Sequence, residues 1–124
     1  MNFPCFVSLG ELLDKIAILE LKQQHIKDPA KLRIIERELP YLRGLIKGLD
    51  LSPCSALIEE LRLANHQMWR INDLKRAKAR RNEFDSEFVA VSVEEDVWND
   101  RRHNIKDTLN LLFDSMRELK SYHE

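Results

Sequence analysis

The sequence predicts an all-α protein, residues 1–124 in one domain, folded as an antiparallel four-helix bundle of two helical hairpins. Three observations lead there. Four stretches space their apolar residues in alternating steps of three and four, which lines one face of a helix. A capping signal stands before each stretch. Only three glycines and four prolines occur in the chain, and apart from Pro40 they fall where helices would begin or end.

Helix 1 begins at "SLGE", where Ser8 is the N-cap and Glu11 follows three residues later, the pattern of a reciprocal capping box. Its stripe is Leu9, Leu12, Ile16 and Leu19, continued by Gln23 and Ile26. Asp28 and Pro29 open helix 2 as cap and first helical residue, followed by Leu32, Ile35, Leu39, Leu42, Ile46 and Leu49, with a kink expected at Pro40. Ser52 and Pro53 repeat the device for helix 3, whose stripe is Cys54, Leu57, Leu61, Ala64, Met68 and Ile71. The last start lies at Asp85 in "NEFDSE", where a tight turn has to form without glycine. Helix 4 then runs Phe88, Val91, Glu95, Trp98, Arg102, Ile105, Leu109, Leu112, Met116 and Leu119. Within it, "FVAVSV" alternates valines as a strand would, but a lone strand has no ladder partner and the helical phase does not slip, so the segment reads as helix. A break near Asn99 is the alternative.

At 1.5 Å per residue, helices 1 and 2 of about 20 residues span near 30 Å, whereas helices 3 and 4, about 30 and 37 residues, span roughly 45 to 55 Å. The second hairpin is therefore the longer. The first should lie against its Cys54 end, leaving the tip around residues 81–87 projecting.

Lys plus Arg is 20 and Asp plus Glu is 21, so a net charge of −1 offers no global attraction to nucleic acid or anionic lipid. Cys5 and Cys54 form no ligand cluster and read as small apolar residues. The apolar start "MNFPCFV" has no basic lead and is far shorter than the roughly 18 residues of a spanning helix, so a soluble cytoplasmic protein without a membrane partner is expected. His25, His66, His103 and His123 lack zinc spacing, and Asp96 with Asp100 lacks a second carboxylate pair. No phosphate loop, nucleophile elbow or dinucleotide fingerprint occurs. Neither metal nor cofactor is expected, and no residue is assigned a catalytic role.

Two features deserve a functional reading beside a structural one. "KRAKARR" concentrates Lys75, Arg76, Lys78, Arg80 and Arg81, a candidate nucleic-acid patch; yet Glu83, Asp85, Glu87, Glu94, Glu95 and Asp96 return along the facing helix and can neutralise it, and no aromatic interleaves the cations. The second feature is the intrusion of Glu95 and Arg102 into the apolar stripe of helix 4. With Asn99 between them they share one face, and across the hairpin they fall opposite Lys75 and Asn65, with Trp69 facing Trp98. Unpaired charge there would cost several kcal/mol. Either these groups form a buried polar layer that sets register, or Glu95, Asn99, Arg102, Lys75 and Asn65 line a site for a carboxylate or phosphate. Helix 1 also carries Ala17, Ile18 and Leu21 off its main stripe, which together with the valines of helix 4 suggests a homodimer.

"SLGELLDKIAILELK" and the later "NDRRHNIK" resemble the Ser-x-Gly-Glu-Leu-x-Asp-Lys-Ile and Asn-Asp-x-Arg segments of an uncharacterised bacterial family of similar length. The resemblance spans most of the chain and brings no activity with it. Some members resemble domains found beside glycosyltransferase or repeat segments, which implies a link to surface-polysaccharide metabolism. The leading expectation is a non-catalytic assembly or accessory protein acting through self-association; the alternatives are a small helical enzyme or anion-binding protein, and weak nucleic-acid binding.

Overall fold

The computed structural model describes residues 3–123, and side chains up to Met116, so the last stripe position, Leu119, and the remote His123 lie outside the described side chains. The chain forms four helices: α1 Leu9–His25, α2 Pro29–Ile46, α3 Ser55–Arg80 and α4 Ser86–His123. A single 3-10 turn, Ser52–Cys54, precedes α3. Among the described residues there is no strand, and "FVAVSV" lies inside an unbroken α4, so neither the strand pattern nor a break at Asn99 is realised.

The caps show how local chemistry starts each helix. Ser8 Oγ accepts from the Glu11 N–H at 3.2 Å, but only this half of the capping box forms, because the Glu11 carboxylate is taken by a lysine of α4. Asp28 accepts from the Ala30 N–H at 3.0 Å, with Pro29 at the first helical position. Before α3 the capping group is Asp50 and not Ser52: Asp50 Oδ1 accepts from both the N–H and the hydroxyl of Ser52. Asp85 caps α4 by accepting from the Phe88 N–H at 2.9 Å. The glycine-free turn before it is made by Asn82 at φ 55°, the left-handed region that asparagine enters most readily after glycine. α2 passes through Pro40 as one continuous helix.

α3 and α4 form the long hairpin, α1 packs on both, and α2 packs on α1 alone. One core joins Leu13 of α1 with Cys54, Leu61 and Ala64 of the α3 segment and with Ile105 and Leu109 of α4. The other lies between α1 and α2, around Ile16, Leu19, Ile35 and Leu39. α1 is thus the central helix, covered by three neighbours, which accounts for its apolar residues on several faces: Ala17 is buried, Ile18 and Leu21 half-buried. Those residues do not by themselves call for a second chain. His25, the last residue of α1, stacks on Trp69 with ring centroids 5.0 Å apart. From there α3 continues for roughly three more turns to Arg80, the projecting part of the second hairpin.

Candidate functional site

Where α1 meets α3 and α4, the core turns polar. Asp14 lies on the flank of α1 with Gly10, Ala17 and Leu21, at helical spacing beside the main apolar stripe. Its carboxylate is buried. Oδ1 accepts from Asn65 Nδ2 of α3 at 2.9 Å and lies 3.9 Å from Arg102 Nε, while Oδ2 lies 3.5 Å from Lys106 Nζ. Lys106, itself buried, makes its short contact to Glu11 Oε1 at 2.6 Å. One turn further, the Gly10 N–H donates to Asn110 Oδ1 at 2.7 Å. Arg102, Lys106 and Asn110 follow one another at intervals of four on α4, so one ridge of that helix reads Asp14, Glu11 and Gly10 in turn.

Gly10 makes this approach possible. A Cβ there would stand 2.6 Å from the Lys106 carbonyl oxygen, which is fixed backbone. Glycine lets the two helices close until the lysine reaches both carboxylates. Two cations and two carboxylates leave the layer electrically neutral. The hydrogen bond from Lys106 holds the Glu11 carboxyl below the usual carboxylate range; partial burial opposes this, and the positive charges of Lys106, Arg102 and His103 add to it.

The expected site residues divide between two places. Asn65 and Arg102 come together, but at Asp14. Glu95 pairs instead with Lys75 at 2.7 Å, nearly two turns of α4 towards the tip, and the Lys75 ammonium lies 5.4 Å from the Phe88 ring centroid. Asn99 is half-buried on the same face as Arg102. Trp69 stacks on His25, and Trp98 carries Arg101 over its ring at 4.8 Å. Asp14, Glu11, Lys106 and Asn110 were not legible as site residues, because their partners sit between 51 and 100 positions away. The Gly10, Asp14, Ala17 spacing was the available signal.

The basic run of the arm is internally matched. Lys78 is buried and its ammonium meets Asp85 at 3.0 Å, Glu87 at 3.4 Å and Glu83 at 3.8 Å. Arg76 pairs with Asp73 and Arg81 with Glu83, while Arg80 is exposed. Elsewhere, a cleft of about 190 Å³ between α1, α2 and α3 has Leu13, Ile16 and Leu61 in its lining, and Glu20 near its mouth stands between Arg43 and Arg62 at 3.9 and 3.8 Å. Among the described residues no group of three or more His, Cys, Asp or Glu is placed to hold a metal ion, and no helix is long and apolar enough to cross a membrane.

These features define an all-α bundle protein with a buried ionic layer joining three helices. Family models, curated proteins and solved structures were compared with the chain, and none matches. The segments 8–16 and 99–106 meet in this layer.

Proposed function

We propose that the protein is a non-catalytic helical assembly module that pairs with a second copy through the outer face of α4. One observation carries the reading: Val89, Val93 and Val97, each one turn apart, are 59 %, 59 % and 56 % exposed, and Phe84 at the adjoining turn is 61 % exposed. Valine is a mediocre helix former. A row of three on an exposed face leaves apolar area in water that a partner would cover.

The stripe fits a second copy in the antiparallel sense. Symmetry about Val93 sets Val97 of one helix level with Val89 of the other, and sets Asp96 and Asp100 level with Ala90 and Ser86. Parallel pairing would set each aspartate level with its own counterpart. The ionic layer and the arm support this reading by being self-neutralised: the layer offers no nucleophile with an adjacent base, and the Lys75–Arg81 run has little unmatched charge for a phosphate backbone.

Sedimentation equilibrium tests the proposal. Wild type should be a dimer at high micromolar concentration and Val93→Glu a monomer of unchanged helicity, whereas a monomeric wild type would overturn the reading. The polysaccharide link that the resemblance implies makes sugar nucleotides the first compounds for a thermal-shift screen. A ligand at a hundred times its Kd adds about 2.7 kcal/mol of stability.

A further inference from the structure

Arg102 is the member of the ionic layer whose hydrogen bonding is left incomplete. Its Nε is buried without a hydrogen-bond partner, and at 3.9 Å the contact with Asp14 is an ion pair and not a hydrogen bond. Asp14 has spent its nearer interactions elsewhere, on Asn65 and Lys106. Lys106 in turn holds Glu11 at 2.6 Å, so the carboxylate that could have turned to the arginine is committed. The side chain is 21 % exposed, so part of it still faces solvent. The guanidinium is a planar fork: its Nε is closed to solvent, so an incoming group would meet the outer N–H groups of a side chain whose freedom is already restricted.

From this geometry we infer that Arg102 is the anchor of a binding site for a carboxylate-bearing small molecule at the seam of α1 and α4. The charge balance selects the class. Asp14 and Glu11 cancel Arg102 and Lys106, so the site attracts by the directed N–H fork and not by a net positive field. A phosphate dianion would meet twice the repulsion from the two carboxylates without a second uncommitted cation to offset it. A carboxylate matches the fork with two parallel hydrogen bonds and one unit of charge. Asn99 lies half-buried one turn before Arg102 on the same helix face and could offer the ligand a further hydrogen bond.

The test uses the full chain labelled with ¹⁵N-arginine and follows the Arg102 Nε–H resonance while acetate, inorganic phosphate or chloride is added at constant ionic strength. Acetate should move that resonance along a saturating curve, with a Kd on the order of 1 to 10 mM for so small a probe. Phosphate should bind more weakly and chloride should give no saturation. Arg102→Lys keeps the charge and loses the fork, and with helicity unchanged it should weaken acetate binding about tenfold or more, read on the neighbouring backbone amides of uniformly ¹⁵N-labelled wild type and variant. An Arg102 signal indifferent to acetate, a lysine variant that binds as well as wild type, or phosphate binding tighter than acetate would each overturn the inference.

Discussion

Gly10 and Gly44 show how one residue type can matter in opposite ways. Both lie in helices, where alanine is intrinsically better by nearly 1 kcal/mol. At Gly44 nothing stands within 4 Å of an added Cβ, so Gly44→Ala should stabilise by about 0.5 to 1 kcal/mol. At Gly10 the same atom meets the Lys106 carbonyl at 2.6 Å, and α1 would have to move off α4; Gly10→Ala should destabilise by about 1 to 3 kcal/mol. Urea unfolding of the two variants checks the contrast. The ionic layer gives a second comparison at this scale. Asp14 and Lys106 are each 7 % exposed at the side chain, and removing either should cost about 3 to 5 kcal/mol, because the charges left behind are stranded in the core. Glu95 and Lys75, each a quarter or more exposed, should lose only about 0.2 to 1 kcal/mol. A double-mutant cycle joining Arg102→Met and Glu95→Leu should show coupling below about 0.5 kcal/mol, since the structure gives the two groups different partners.

The element most exposed to pH is the α3–α4 turn. Asp85 is held below the usual carboxylate range first by the Phe88 N–H and then by Lys78, while Lys78 is held above its ordinary value chiefly by the hydrogen bond to Asp85. A depressed carboxyl contributes stability that is complete above its unfolded pKa and drains as pH falls through the lower folded value. A raised ammonium contributes stability that is complete below its unfolded pKa and drains as pH rises through the higher folded value. The turn should therefore be firmest between about pH 4 and pH 10, loosening on either side. Asp85→Asn should flatten the acid limb of Tm against pH relative to wild type, without removing the limb due to Glu11 and Asp50, whose carboxyls are also depressed. Equal acid slopes in the two proteins would remove Lys78 and Asp85 as the latch. The turn geometry predicts in addition that Asn82→Gly is well tolerated and Asn82→Val is not, because φ 55° strains a β-branched residue.

At the scale of the molecule, stability should be unevenly distributed. Leu61, Ala64, Ile105 and Leu109 are buried under three helices, whereas beyond Trp69 the hairpin holds itself together around Ile71, Val91 and the Lys78 latch. Native-state amide exchange should show the largest opening free energies at the first group and smaller ones towards Arg80 and Val89. Pairing of two copies through the valine stripe would raise protection of the arm in proportion to protein concentration. A concentration-independent pattern would fit a monomeric arm.

Helix number, three of the four helix starts and the unequal hairpins were legible in the residues, because caps and three-four spacing act within a few positions of one another; the start of α3 was displaced from Ser52 to Ser55, behind a 3-10 turn capped by Asp50. The Asp28–Pro29 start, the Asp85 start and the unbroken phase through "FVAVSV" are local matters, and the chain realises each of them. The same local reading located Glu95 opposite Lys75, since a tight turn fixes register across a hairpin. It could not choose the partner of Arg102. That choice depends on which helix lies over the α3–α4 seam and how closely it approaches, and α1 approaches because Gly10, 92 positions earlier, has no side chain to hold it away. The sequence determined the helices and the pairing within each hairpin. Only the tertiary structure decided that α1 is central, that Asp14 joins Asn65, Arg102 and Lys106, and that Glu11 leaves its cap for Lys106, because contacts between hairpins are set by packing over the whole molecule and leave no short-range pattern.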